Sequence, residues 1–202
     1  MLIQLFLKTP RPGTVKTRLA KTVGNEKACE IYKNLVAHQL QNLPVDADVE
    51  VHFAPEDAEN EMRAWLGDEI RLIPQCDGDL GDRLGFAVGK AFDQGAPSVF
   101  CIGSDCPGLK PHHFYEAEKH LSQETNVVFG PTEDGGYYLV GVKAPTPCLF
   151  EGIPWSTEQT LKISLEHAAS AGLKTALLET LTDVDTEEDW RRILTLLGSD
   201  TK

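Results

Sequence analysis

The sequence has no C-x-x-C pair, and its five cysteines, Cys29, Cys76, Cys101, Cys106 and Cys148, are odd in number and widely spaced. Neither a disulfide framework nor a zinc site is suggested, and reduced thiols are expected. The six histidines lack metal-ligand spacing as well. His112 and His113 are adjacent, just after Pro111, where a helix start should expose both, and all six read as surface or core residues. No apolar run approaches the ~18 residues that a membrane span requires, so no membrane partner is expected. The stretch from Met1 to Leu7 is too short, and lacks the basic lead, for a secretory signal, which makes the cytoplasm the expected location. Positive charge is scarce: 19 Lys and Arg stand against 31 Asp and Glu, a net charge of −12. A surface that gathers nucleic-acid phosphates should be basic, so nucleic acid is not an expected partner. Repeats, low-complexity tracts and linkers are absent too, and the 202 residues read as one globular domain over 1–202. A chain of this length buries ~70% of its unfolded surface and needs no disulfide to hold a core.

What is present alternates between two periods. Residues 2–7, 49–53, 70–73, 98–102, 127–129, 137–142 and 175–178 read as strands. Between them, Ala28, Ile31, Leu35, Val36 and Leu40 share one face of a helix that Asn25 is placed to cap. Helices are also expected over 56–66, 84–92, 113–121, 157–171 and 189–197. Strands alternating with helices predict an α/β fold, a mostly parallel sheet covered on both faces, because parallel strands need crossovers. Residues 127–129 and 137–142 form either a hairpin or adjacent sheet segments. In such sheets ligands bind beyond the carboxyl ends of the strands, so the loops after Leu7, Ile73, Ile102 and Phe129 should converge on one rim.

The first 25 residues contain no acid but hold Lys8, Arg11, Lys16, Arg18 and Lys21, five of the chain's nineteen bases. A loop with Gly13 followed by Thr14-Val15-Lys16-Thr17-Arg18 offers backbone N–H groups and cations at a helix start, which suits a diphosphate or triphosphate. The G-x-x-x-x-G-K-[ST] and G-x-G-x-x-G spacings are both missing, which argues against ATPase and dinucleotide readings. A solvated basic face is the alternative.

Acidic residues occupy the other loops. Asp105, beside Ser104 in Gly103-Ser104-Asp105-Cys106-Pro107, follows one strand, and Asp134, in Glu133-Asp134-Gly135-Gly136, follows another. A carboxylate facing a phosphate at 4 Å is repelled by ~4 kcal/mol at an effective dielectric of 20, so acids beside a phosphate loop imply a cation between them, Mg²⁺ or Mn²⁺. Gly135 and Gly136 would let the backbone approach a ligand closely. Capping by Asp105 and a turn at Glu133-Asp134 are the plainer alternatives. Asp183 and Asp185 precede the last helix, where Thr186 should cap, and one of them is placed to give a second metal contact. The turn at Gly78 and Asp79, with Arg83, would hold a base, ribose or phosphate, or simply cap a helix. Cys106 beside Asp105 is a poor nucleophile, since a neighbouring carboxylate raises a thiol pKa.

Phe6-Leu7-Lys8, Val15-Lys16-Thr17-Arg18-Leu19, Gly103-Ser104-Asp105-Cys106-Pro107, Pro131-Thr132-Glu133-Asp134-Gly135-Gly136-Tyr137, Trp155-Ser156-Thr157 and Asp183-Val184-Asp185-Thr186 together resemble the DUF2064 family. It is also called transferase 1 associated with radical-SAM and selenoprotein domains, and the resemblance spans nearly the whole chain. It implies the GT-A fold of the nucleotide-diphospho-sugar transferase superfamily. It also implies that Asp105 takes the metal-binding place of a D-x-D or G-D-x-P motif. Because Cys106 and Pro107 follow, the second acidic contact would come from Asp134 or Asp185. Lys16-Thr17-Arg18 is similar to the segment that neutralises triphosphate in nucleotidyltransferases. The expectation is a metal-dependent glycosyltransferase in which Lys16 and Arg18 neutralise phosphate and Asp134 binds metal or serves as acceptor base. Its partners would be a nucleotide-sugar, or an NTP in the nucleotidyltransferase alternative, and a small-molecule acceptor, with a homodimer as the candidate assembly. A non-catalytic nucleotide-binding module is a third reading. Tyr137, Tyr138 and Trp155 are candidates for an acceptor pocket or for core.

Overall fold

Strand β1 (Leu2–Lys8) sends Ile3, Leu5 and Leu7 to one face of the sheet and Leu2 and Phe6 to the other, the period of two that extended backbone imposes. In the computed structural model, which describes residues 1–197, that strand lies near the middle of a seven-stranded sheet. Its companions are β2 (Asp48–Ala54), β3 (Arg71–Pro74), β4 (Val99–Ile102), β5 (Val127–Pro131), β6 (Tyr137–Val142) and β7 (Thr175–Leu177), in the order β3-β2-β1-β4-β6-β5-β7. Only β6 runs against its neighbours, so the sheet is mixed but mostly parallel, as the alternating periods predict.

Helices cover both faces. Helices α2 (Asn25–Gln41), α3 (Glu59–Leu66) and α5 (Pro111–Leu121) close one face through Cys29, Tyr32, Val36, Met62, Phe114 and Leu121. The opposite face is closed by α4 (Leu80–Asp93) and α6 (Thr160–Ser170), through Leu84, Val88, Ala91 and Ala168. A third, smaller core joins α1 (Thr17–Val23), α2 and α7 (Glu187–Leu197), with Leu19, Ile31, Leu35 and Ile193 gathered around fully buried Val184. Burying a valine contributes about 1.5–3 kcal/mol, enough to anchor the connection from β7 to α7. No described helix is long and apolar enough to cross a membrane.

Several local expectations change in the structure. Gly24, at φ +84, precedes α2 as its cap, and Asn25 is the first helical residue. Residues 157–159 form a turn rather than helix, because the Thr157 and Thr160 hydroxyls both donate to the Pro154 carbonyl and hold the chain back for a few residues. His113 is buried, not exposed: its Nδ1 accepts the Lys110 N–H at 2.9 Å and caps α5 from inside.

Under α4 the sheet buries a charged residue. The Glu50 carboxylate receives Arg71 Nη1 at 2.6 Å, His52 Nε2 at 3.2 Å and Gln4 Nε2 at 3.3 Å. These bonds, led by that from His52, hold the Glu50 carboxyl below its ordinary value. A folded-state pKa below the unfolded one stabilises the fold above the unfolded value and loses that stabilisation as pH falls through the folded pKa. Glu50→Gln is therefore expected to cost about 1–3 kcal/mol at neutral pH, and less as pH falls below the ordinary glutamate range. Urea unfolding of both proteins across pH 3–7 checks this, and a pH-independent difference would contradict it.

Candidate functional site

Lys8, Lys16, Thr17, Arg18, Gly78, Asp79, Arg83, Ser104, Asp105, Asp134 and Asp185 all line one open cleft of about 700 Å³. It lies where the carboxyl ends of β1, β3, β4 and β5 meet the start of β6. Of the sequence-predicted site residues only Gly13 does not line it. Gly13 takes φ +82 in the turn leading to Lys16. The basic segment divides: Lys8, Lys16 and Arg18 reach the cleft, whereas Arg11 turns away to pair with Glu61 of α3 at 2.5 Å.

At the centre is Lys16. Its side chain is 5% exposed, and its ammonium lies 2.9 Å from Asp105 Oδ1 and 3.6 Å from Asp185 Oδ1 while donating to the Val184 carbonyl at 2.7 Å. Its backbone is left-handed, φ +47, a conformation that non-glycine residues adopt at a cost and that these three contacts hold in place. The Asp183-Val184-Asp185 segment explains how two acids reach the same place. Extended backbone turns Val184 into the small core, so both neighbours face the cleft. Backbone pairing fixes the segment, since Val184 N–H donates to the Asp105 carbonyl at 2.8 Å. Arg18 Nη1 then pairs with Asp185 Oδ2 at 2.9 Å.

Asp134 is held differently. Its Oδ1 accepts from Thr132 Oγ1 at 2.6 Å and from Gly136 N–H at 3.0 Å, leaving Oδ2 without a hydrogen bond among the described residues. The close approach expected at Gly135 is real, but its partner is the chain itself. A Cβ at Gly135 would lie 2.4 Å from the Glu158 carbonyl oxygen, so the glycine seats the Asp134 loop against the start of α6. Asp79 caps α4 in a reciprocal box with Asp82, and so fulfils the plainer of its two readings while still lining the cleft. Thr186 accepts the Asp189 N–H at 3.3 Å, as expected of a cap.

Charge in the cleft is unbalanced toward the acids. Burial, with Asp134 and Asp185 close by, pushes the Asp183 carboxyl up to about 6. Cys106 is buried and donates to the Thr182 carbonyl at 3.5 Å; burial pushes its thiol up to about 12, which removes it as a nucleophile. Three buried donors on residues that line the cleft, Arg83 Nε, Tyr137 Oη and Trp155 Nε1, have no hydrogen-bond partner among the described residues. Such groups call for a ligand or water, because an unpaired buried donor costs about 1–3 kcal/mol.

Two positioning residues escape a reading of the sequence. Tyr32 accepts the Lys8 N–H at 3.0 Å and donates to the Lys8 carbonyl at 2.9 Å, pinning the end of β1. Its spacing from Cys29 and Val36 marks a second inward stripe on α2. Gln75 donates to the carbonyls of Leu7 and His52 and accepts from Arg83 Nη1 at 3.2 Å. Nothing local in the sequence distinguishes it.

The sheet order, its one reversed strand and a cleft at the strand ends define a GT-A-like nucleotide-transferase fold. The chain belongs to the DUF2064 family, described as "Uncharacterized protein conserved in bacteria", which residues 37–157 match. A structure from Desulfovibrio desulfuricans G20, provisionally named a nucleotide-diphospho-sugar transferase, is 36% identical, with a TM-score of 0.90 over 95% of this chain and 85% of that one. CMP:2-keto-3-deoxy-manno-octonic acid synthetase complexed with CTP shares the fold at 13% identity and a TM-score of 0.64, over 98% of both chains. Rv0371c from Mycobacterium tuberculosis H37Rv, solved with manganese, shares it at 14% identity and a TM-score of 0.54, over 96% of this chain and 98% of that one. No curated protein matches the sequence.

Proposed function

We propose that this protein is a metal-dependent transferase that binds a nucleotide-diphosphate-sugar and moves its glycosyl group to a small-molecule hydroxyl acceptor. The observation that carries the reading is the buried Lys16 ammonium held between Asp105 and Asp185 in a cleft that also presents Lys8, Arg18 and Arg83. Asp105, Asp183, Asp185 and Asp134 supply only oxygen donors, and the four carboxylates outnumber Lys16 and Arg18, the two bases paired with them. That donor set suits a hard divalent ion, Mg²⁺ or Mn²⁺, held chiefly by Asp105 and Asp185. When bound, such an ion neutralises diphosphate charge.

Each remaining role falls to the chain. Lys8, Arg18 and Arg83 hold the diphosphate, and the unpaired Arg83 Nε is one donor placed to do so. Lys16 orients Asp105 and Asp185. The acceptor oxygen attacks the anomeric carbon as its bond to the diphosphate breaks, and its proton passes to Asp134 Oδ2, the oxygen left unengaged. Catalysis then rests on positioning and on stabilising the leaving diphosphate. The likeness to a CTP-complexed synthetase favours a second reading, nucleotidyl transfer from an NTP with release of pyrophosphate.

Thermal shift with nucleotide-sugars, nucleoside diphosphates and triphosphates, each with and without Mg²⁺ or Mn²⁺, tests both. A ligand at 100 times its Kd stabilises by about 2.7 kcal/mol, a rise of roughly 5–11 °C at this size. One metal-dependent nucleotide-sugar response supports glycosyl transfer. Preference for one NTP, followed by measured pyrophosphate release, supports the second reading, and no response to any nucleotide would defeat both.

A further inference from the structure

Outside the cleft, one side-chain group among the described residues has the chemistry of a metal site. Helix α5 opens with Pro111, His112 and His113, and Glu179 stands two residues beyond the end of β7. His113 Nε2 lies 2.7 Å from Glu179 Oε1, and His112 Nε2 lies 3.7 Å from the same oxygen. One ligand atom from each of the three residues lies within 4.8 Å of the others. Around a tetrahedral ion with bonds of about 2.0–2.1 Å, ligand atoms sit roughly 3.4 Å apart, and the two distances bracket that value. The imidazoles lie close and tilted, with ring centroids 3.9 Å apart and an interplanar angle of 33°, although His113 is buried and His112 is largely exposed.

The surroundings of His113 supply the outer contact that a ligating histidine needs. Its Nδ1 lies 2.9 Å from the Lys110 nitrogen and 3.2 Å from the Lys110 carbonyl oxygen. Without an ion, Nδ1 accepts the Lys110 N–H, and the proton on Nε2 is donated to Glu179. With an ion on Nε2, that proton moves to Nδ1, which donates to the Lys110 carbonyl while the Lys110 N–H gives up its bond to the ring. The hydrogen bond to a backbone carbonyl is the arrangement that orients metal-bound histidines.

We propose that His112, His113 and Glu179 form a three-ligand site for Zn²⁺ or a similar borderline ion, which clamps the start of α5 to the chain leaving β7. Two nitrogens and one carboxylate oxygen favour such an ion over Mg²⁺, whereas the cleft offers oxygens alone. The clamp has a route to the cleft. The Glu179 carbonyl accepts from the hydroxyl of Tyr138, whose ring lines the cleft, at 3.1 Å. Further along, Leu181 bridges to Thr132, and Thr182 accepts from Cys106. The same short segment ends in Asp183 and Asp185, so an ion at Glu179 would fix one end of the strip that bears them.

Titration of the full chain with Co²⁺, followed by Zn²⁺ competition, tests the site. The visible bands of Co²⁺ report its ligands, and His112→Ala changes an exposed side chain that leaves folding intact, as circular dichroism would verify. With excess Mg²⁺ present to occupy the oxygen-only cleft, the expected result is one Co²⁺ per chain with nitrogen and oxygen ligands, displaced by Zn²⁺. It should bind equally to Asp105→Asn, whose altered residue lies in the cleft. His112→Ala and Glu179→Gln should weaken binding by at least the ~10–100-fold that follows even from loss of an outer-shell partner. Unchanged binding in His112→Ala, loss of binding in Asp105→Asn, a thiolate charge-transfer band, or no binding by the wild type would each overturn the proposal. All four outcomes are independent of whether the cleft transfers a glycosyl or a nucleotidyl group.

Discussion

Asp105→Asn is expected to lower metal-dependent turnover by ~10²–10³-fold, the usual effect of removing one electrostatic stabiliser from a site built around developing charge. Asparagine keeps the shape of the side chain and leaves the backbone bond from Val184 to the residue 105 carbonyl untouched. What disappears is the charge 2.9 Å from the Lys16 ammonium, together with a carboxylate proposed above to hold the ion. Lys16 keeps its bond to the Val184 carbonyl and its pairing with Asp185, so the unfolding midpoint should move far less than the activity. Steady-state kinetics with the donor identified by thermal shift, run beside thermal unfolding, separate the two effects. Turnover within about twofold of wild type would remove Asp105 from the mechanism. A large fall in both quantities would instead make it a structural partner of Lys16.

Gly135→Ala should be the most damaging small substitution in the Asp134 loop. Residue 135 adopts φ +87, which costs a side-chain-bearing residue about 1–2 kcal/mol. A Cβ there would also lie 2.4 Å from the carbonyl oxygen and 2.7 Å from the Cα of Glu158. Backbone cannot swing aside as the end of a lysine would, and overpacking of this kind costs about 1–3 kcal/mol more. The sum is about 2–5 kcal/mol, or roughly 4–20 °C in Tm for a chain of this size. Gly95 is the control: its φ is +88 with nothing within 4 Å of the added carbon, so Gly95→Ala should show the backbone cost alone. Equal losses at the two positions would mean that the contact with Glu158 carries no energy. Because Gly135 also accepts the Leu161 N–H at 2.9 Å, its displacement should move Asp134 and the start of α6 together.

The sequence by itself determined the fold class and the rim. Period-two apolar runs broken by period-3.6 runs require crossovers, and crossovers make a parallel sheet whose loops gather at one end. Lys16, Arg18, Asp105, Asp134 and Asp185 are therefore legible as one cluster from their places in the pattern alone. Composition likewise marks the opening segment as a basic cluster in an acidic chain, three of whose bases, Lys8, Lys16 and Arg18, line the cleft.

Tertiary structure decided what those groups do to one another. A run of bases reads as uniform, yet Arg11 pairs with Glu61 on a different helix while Lys16 turns inward between two aspartates, and only the path of the chain selects between them. Gln75 carries no local signal, since its worth lies in joining the ends of β1 and β2 to Arg83. Adjacent histidines gave no metal spacing in the sequence, because spacing rules count along the chain. The third group, Glu179, lies 66 residues beyond His113 and meets it because β7 runs parallel to β5 at the edge of the sheet. Periodicity is a local property and fixes which face a residue takes; pairings across the fold depend on which strands become neighbours.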